Sequence, residues 1–329
     1  MSWRKTFARL GDAVLDPTIA GSFGRGGFNR HRVQFEPDDL AIDLTGRICA
    51  VTGANGGLGY ATAAALGARN ATVWLLCRNA ERGQRALETL RTDTGNANIH
   101  LALLDVSSLE AIRRFTAAPP MDRLDVLVNN AGVLPQARTT TDEGLESTLA
   151  TNLVGPFALT AGLLPLLESG ERARVIWVSS GGMYPRKLNL DRLWTPPDPF
   201  DGVTAYADTK RAMVIASERM AGLLAPRGIA VHCMHPGWAD TPGVQSSIPG
   251  FHRMTRHMLR TPAEGADTVI WLAVNDRAQN TPGLFWFDRA PRRTHFVPWT
   301  RSAPGAEDAL WDALHEWAKV PLETFALGE

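Results

Sequence analysis

Several things are scarce in this 329-residue chain, and each scarcity removes a class of protein. No run of about 18 apolar residues occurs, which excludes an ordinary membrane-spanning helix. Neither sign of charge dominates: 34 basic residues face 34 acidic ones. The chain therefore has no field for gathering a polyanion, and no nucleic-acid partner is expected. The Arg-rich run from Arg289 to Arg293 reads as local solvated surface. Cysteines number three, and Cys49, Cys77 and Cys233 each sit inside an apolar run with no C-x-x-C or Cys/His spacing. They read as buried small hydrophobes, and their odd count, with no secretory leader pattern, leads us to expect a reducing, cytoplasmic setting. His232, His235, His252 and His257 do not repeat at ligand spacing on one element, so no metal site is expected. Tyrosine is as rare as cysteine: Tyr60, Tyr184 and Tyr206 are all there are.

What is present is an ordinary globular composition, 44% hydrophobic and 21% charged, enough for a sizeable core. Of the three tyrosines, Tyr206 alone has a lysine four residues on, Lys210, in a stretch that reads as helix to about Leu224. Side chains at that spacing share a helix face. A phenol with an ordinary pKa of about 10 needs a nearby cation to work as an acid or base near neutrality, so Tyr206 and Lys210 form a candidate proton-transfer pair. The spacing alone would equally suit an exposed helix face.

From Arg47 onward the chain alternates short apolar strands with helices. Strand Ile48 to Val51 leads into Thr52-Gly53-Ala54-Asn55-Gly56-Gly57-Leu58-Gly59 and an alanine-rich helix. Strand, glycine turn and helix is the setting in which glycines let the backbone approach a dinucleotide pyrophosphate at a helix N-terminus. A second strand ends at Arg78, about 20 residues past the turn, where an acid would suit NAD and a base suits the 2′-phosphate of NADP. Arg78, with Arg82 on the next helix, favours NADP(H) over NAD(H); an exposed arginine at a strand end is the plain alternative. Further strands close in Asp105-Val106 and in Asn129-Asn130-Ala131-Gly132, and Asp105 could equally cap the helix that follows. Strands Arg174 to Val178, Ile229 to Met234 and Leu284 to Phe287 complete the set. The expected fold is α/β: a single Rossmann-type doubly wound sheet of seven mostly parallel strands, helices on both faces, with N- and C-terminal extensions.

The glycine spacing, Thr-Gly-x-x-x-Gly-x-Gly, departs from G-x-G-x-x-G and resembles the short-chain dehydrogenase/reductase superfamily. The Asn-Asn-Ala-Gly run, Ser179-Ser180-Gly181-Gly182 after a central strand, and Tyr206 with Lys210 fit the same pattern in the same order. The resemblance covers about Asp43 to Phe287. Segments at Val178 to Met183, Pro199 to Gly202, His235 to Val244 and Ala263 to Thr268 are similar to a narrower type within it, family member 12. It implies that Asn152, Ser180, Tyr206 and Lys210 are catalytic. It also implies that Thr52, Gly53, Asn55, Gly57, Leu58, Gly59, Arg78, Asp105, Val106, Asn130, Ala131, Gly132, Tyr206, Lys210, Pro236, Gly237 and Thr241 lie along the cofactor. Lys210 would then lower the Tyr206 pKa, and Asn152 would hold a water linking the lysine to solvent. The implied reaction interconverts a small-molecule carbonyl and an alcohol.

Three stretches lie outside that pattern. Residues 1–42 read as a helix, with Trp3, Phe7, Leu10 and Val14 on one face, followed by an irregular arm over residues 17–40. The helix would dock on its own domain or touch a membrane surface weakly. Met183 to Val203 is an insertion beside the site, and it suits a substrate-facing flap or padding equally; Tyr184 within it is a possible substrate contact. Gln245 to Arg260 reads as a lid. The catalytic domain is placed at 43–289 and a C-terminal extension at 290–329, whose last helix would pack on the substrate mouth or on a second copy in a homo-oligomer. Met183, Trp194, Trp238 and Phe251 suggest a lipophilic substrate.

Overall fold

The computed structural model describes Asp16 and residues 18–326; the expected amphipathic helix at the N-terminus lies outside the described residues. The strands form where the apolar runs are: β1 (Ile48–Thr52), β2 (Thr72–Cys77), β3 (Ile99–Leu103), β4 (Val126–Asn129), β5 (Arg174–Val178), β6 (Ala230–Met234) and β7 (Phe285–Phe287). They make one sheet in the order β3-β2-β1-β4-β5-β6-β7, all parallel, with β8 (Ala290–Pro291) added antiparallel to β7. The strand count is therefore eight rather than seven. The extra strand closes a two-residue hairpin whose turn residues Asp288 and Arg289 both have positive φ, 50° and 57°. Such turns are normally signalled by Gly or Asn. Here ion pairs hold the two residues instead: Asp288 with Arg260, Arg289 with Asp267.

Strands β1, β4, β5 and β6 are buried almost throughout, which is why they lack alternation and why helices must cover both faces. One face carries α2 (Gly57–Gly67), α3 (Ala80–Thr94) and α8 (Pro262–Val274), sealed by Leu66, Leu90 and Trp271. The other carries α4 (Leu109–Ala117), α5 (Gly155–Gly162) and α6 (Gly202–Leu224), packed through Ile112, Phe157 and Met213. Strand order reverses between β1 and β4, so the loops after β1, β4, β5 and β6 open onto one crevice.

Elsewhere the fold departs from expectation. The arm is helical, with α1 (Arg25–His31) and shorter turns on either side. Gly27 fits there because a Cβ would collide with the Ser22 backbone, a tertiary constraint that outweighs poor helix propensity. The helical stretch that leads into α5 contains a π-helical turn, Ala150–Val154, where Gly155 packs directly on the Val106 carbonyl. The lid contains Pro242–Ser247 and α7 (Pro249–Thr255). The terminal helix α9 (Ala306–Ala318) packs on α5 and α6 of its own chain, with Phe157 edge-on to Trp311 and beside Phe325.

Candidate active site

The crevice is assembled from strand ends. Thr52 closes β1, and its Oγ1 accepts the backbone N–H groups of Asn130 and Ala131 (both 2.9 Å) while the Asn130 amide donates to the Thr52 carbonyl (2.8 Å). These bonds tie the first glycine turn to the loop after β4. Asn129 donates to Thr160 (3.0 Å). Gly59 could carry no side chain, since its Cβ would lie 2.5 Å from Asn130 Nδ2. Gly53 and Gly57 have φ of 66° and 56°, which favours glycine, and Thr241 lies over Gly57 from across the crevice. Thr241 also caps the first lid helix through Val244 N (3.3 Å).

The first turn of α2 has no side-chain cap, so its N–H groups are left for an anion. Beside it an open hollow of about 340 Å³ is lined by Asn55, Tyr60, Arg82, Arg85, Ala86 and Thr89. Arg78 is largely exposed and loosely paired to Asp105 at 3.7 Å. Asp105 also accepts Ser107 N (2.9 Å) and Ser107 Oγ (2.6 Å), whereas the helix it could have capped, α4, is capped by Ser108. Uncapped helix, bare glycines and two nearby arginines are donors that the phosphates of a nicotinamide dinucleotide can use, and these residues fit one.

Ser180 follows β5, and its Oγ accepts Gly182 N–H (3.2 Å) and shares a hydrogen bond with Tyr206. Its neighbour Ser179 points the other way and donates to the Lys210 carbonyl (3.0 Å). Asp201 caps the start of α6, which delivers Tyr206 and Lys210 one turn apart. Lys210 Nζ lies 5.4 Å from the centre of the Tyr206 ring and donates to the Val178 carbonyl (2.8 Å). Burial pushes its pKa down to about 8. Burial also holds the Tyr206 phenol above its ordinary value, with the Ser180 bond opposing it in part. Lys210 Nζ is turned toward the Val178 carbonyl, and burial is the larger influence on the phenol.

Asn152 sits in the π-helical turn, fully buried. Its Oδ1 accepts Val133 N–H (2.8 Å), and its Nδ2 donates to the Val133 carbonyl (3.0 Å) and to Thr209 Oγ1 (3.3 Å). A Cβ on Gly132 would lie 3.3 Å from Asn152 Oδ1 and 3.6 Å from Lys210 Nζ, so the two side chains converge on the space that glycine leaves. Pi-helical turns are rare and often mark functional sites.

Some neighbours have no signature in the sequence. Asp208, buried on α6, receives Arg186 (2.7 and 3.0 Å) and Arg192 (3.1 Å), and Arg211 donates to the carbonyls of Met183 and Arg186. The insertion is thus bolted to the helix that carries Tyr206. Trp194 turns away and stacks on Trp317 (5.5 Å), and Met183 is core. Tyr184 is buried against Phe296 (4.2 Å), with its pKa raised by burial. Trp238 and Phe251 meet edge to face at 5.3 Å by the crevice. Pro236 and Gly237 form the turn after β6, where Gly237 has φ 74° and a Cβ would lie 2.5 Å from Arg260 Nε. Leu58 packs under Gly265 of α8.

Comparison with known proteins agrees with this geometry. The short chain dehydrogenase family model matches residues 47–190. Dehydrogenase/reductase SDR family member 12 of Bos taurus is 42% identical over 300 residues, 90% of this chain and 94% of that protein. Retinol dehydrogenase 12 of Homo sapiens is 31% identical over 275 residues, 82% of this chain and 86% of that protein. Among solved structures, a short chain dehydrogenase from Escherichia coli complexed with NADPH is 26% identical, with a TM-score of 0.61 over 78% of this chain and 100% of that one. Near-complete coverage of relatives at this identity leaves one assignment for a chain with this sheet order and this crevice: it belongs to the short-chain dehydrogenase/reductase family.

Proposed function

We propose that the chain is an NADP(H)-dependent carbonyl reductase whose acid is Tyr206. The observation that carries this reading is the convergence of Ser180 Oγ, Tyr206 and Lys210 at the carboxyl end of β5, with the uncapped start of α2 and its glycines across the same crevice. When bound, the nicotinamide supplies the hydride.

The residues would divide the remaining work. Ser180 Oγ, oriented by Gly182 N–H, donates a hydrogen bond to the carbonyl oxygen. Tyr206, a phenol protonated near neutrality at its ordinary pKa of about 10 and held higher still by burial, delivers a proton as negative charge grows on that oxygen. A protonated phenol suits reduction better than oxidation. Lys210 would hold the nicotinamide ribose and stabilise the phenolate left behind. Water in the gap beside Gly132, between Asn152 Oδ1 and Lys210 Nζ, would return the proton. Asn55, Arg78, Arg82 and the glycine turn would hold the adenosine phosphates. Arg78 carries the preference for NADP(H), since it is exposed at the end of β2 and only weakly engaged by Asp105. Arg78→Glu should weaken NADPH binding about tenfold or more and leave NADH binding nearly unchanged, measured by fluorescence titration. The aromatic pair Trp238 and Phe251 supports a lipophilic substrate, as does kinship with a retinol dehydrogenase.

The decisive experiment is NADPH oxidation, with NADH as control, against aldehydes, ketones, quinones and retinoids. Tyr206→Phe should cut kcat about 10²–10⁴-fold with little change in NADPH binding. Turnover that survives in the variant would remove Tyr206 from its role. NADPH binding without turnover of any carbonyl would favour the second reading, a cofactor-binding regulatory or scaffold protein.

A further inference from the structure

We propose that Phe23, carried in by the arm that precedes the sheet, forms one wall of the carbonyl site and sets the width of substrate admitted beside Ser180. This rests on the carbonyl-reductase reading above.

The argument begins at Gly181, the residue after Ser180. A Cβ there would stand less than 3 Å from the Phe23 ring, so glycine at this position and the ring from a distant segment occupy one space. The ring is 4% exposed and touches aromatic groups from several elements: His235 (4.6 Å between centroids), Phe287 (5.4 Å), Tyr184 (6.0 Å) and, edge-on, Trp238 (6.1 Å). Trp238 in turn meets Phe251 of the lid. Phe23 is thus the link between the serine loop on one side and the lid on the other.

Its backbone is fixed as firmly as its ring. The Phe23 carbonyl accepts Trp238 N–H (2.8 Å) and Arg260 Nε (2.9 Å), and Arg25 N–H donates to the Met258 carbonyl (2.8 Å). Trp238 precedes the lid and Met258 lies near its end, so Phe23 and Arg25 of the arm hold the chain on both sides of it. Gly237 fits the same clasp: a Cβ there would lie 2.6 Å from the Phe23 carbonyl. His235, at the back of the aromatic corner, has its Nδ1 engaged by Gly237 N–H (3.2 Å), while its Nε2 finds no partner among the described residues. A substrate portion reaching past Ser180 and Gly181 would therefore run against the apolar corner that Phe23 heads.

The test compares a slim aldehyde, hexanal, with a broad planar one, 2-naphthaldehyde, in the NADPH-loaded full chain. Phe23→Ala should raise the naphthaldehyde-to-hexanal ratio of kcat/KM about tenfold, the scale on which hydrophobic pockets discriminate size. Phe23→Trp should lower that ratio, and Phe23→Leu should fall between. The same order should appear in dissociation constants measured in the Tyr206→Phe background by quenching of bound NADPH fluorescence. A ratio that stays constant across the three variants overturns the proposal. So does an equal loss for both aldehydes that Phe23→Leu restores equally, since that pattern belongs to a packing residue. If the wild type reduces neither aldehyde, the carbonyl reading is decided by the wider panel of ketones, quinones and retinoids. The dissociation-constant ratio then decides on the wall by itself: a shift supports it and no shift overturns it.

Discussion

Lys210 and Arg260 are both cations shut away from solvent, 2% and 1% exposed, yet the fold treats them in opposite ways. Lys210 has only neutral partners among those described, the Val178 carbonyl and, at 3.9 Å, the Met213 sulfur. Arg260 meets Asp288 with two nitrogens (2.5 and 2.8 Å) and donates to the carbonyls of Ser22 and Phe23 as well. Asp288 is itself bonded to His31, which reaches Asp16, which reaches Arg30 and Arg292. An unmatched buried charge is costly and therefore easily titrated, which suits a group beside a reacting phenol. A matched one is fixed, which suits a bolt. In the proposed reaction the first site would change state; the second holds the arm, the lid and the β7–β8 hairpin together.

The largest effect should come from breaking the bolt. Arg260→Met leaves Asp288 buried with only His31 to oppose it, and should cost about 3–5 kcal/mol in urea unfolding. Lys210→Met should behave in the reverse sense. Removing an unmatched desolvated cation should leave the melting temperature equal or higher. Reduction of a carbonyl should nevertheless fall about 10²–10³-fold, the scale of losing one preorganised charge at a reacting oxygen. Equal destabilisation by the two substitutions would erase the contrast between the sites.

The two sites also differ in how much of them the sequence revealed. The strand-and-helix frame was readable because each apolar run is short, continuous and ended by glycine or a polar residue, such as Gly53, Arg78, Asp105, Asn129, Ser179, His235 and Asp288. The start of α6 carries Asp201 as a cap, and α8 opens with a Thr261–Glu264 capping box. Tyr206 and Lys210 were readable because one turn of helix fixes their relation. The π-helical turn holding Asn152 was not, since it depends on Gly155 pressing against Val106, two segments about 50 residues apart. The arm was misread because its glycines argue against helix and only contacts with Ser22, Met258 and Arg260 overrule them. Arg289 and Arg292 looked like solvated surface, and their partners Asp267, Asp39 and Asp16 lie too far along the chain for spacing to expose. The hairpin at Asp288-Arg289 lacks the Asn-Gly signal because ion pairs, rather than a permissive backbone, keep it in the left-handed region.

The finest distinction between the two sites is the sign of their response to pH. Burial opposes a charged His31, but its hydrogen bonds to Asp16 and Asp288 outweigh that and raise its pKa above 6.5. Arg30 at 3.2 Å, Arg260 and Arg292 face the same cluster. The folded chain thus holds this proton more tightly than the unfolded one. Its contribution is complete below about pH 6.5 and is lost as pH climbs through the raised value. Lys210 runs the other way. Its pKa falls from 10.5 to about 8 on folding, so the cost of charging it inside the fold is present below pH 8 and relieved between there and 10.5. Unfolding midpoints measured against pH should therefore show wild type losing its advantage over His31→Gln as pH rises from 6.5. Against Lys210→Met, wild type should instead gain ground above pH 8, while carbonyl reduction declines over the same range as the lysine discharges. Parallel curves for wild type and His31→Gln would mean that the arginines alone neutralise Asp16 and Asp288, and that the arm is held by fixed charges with no titrating member.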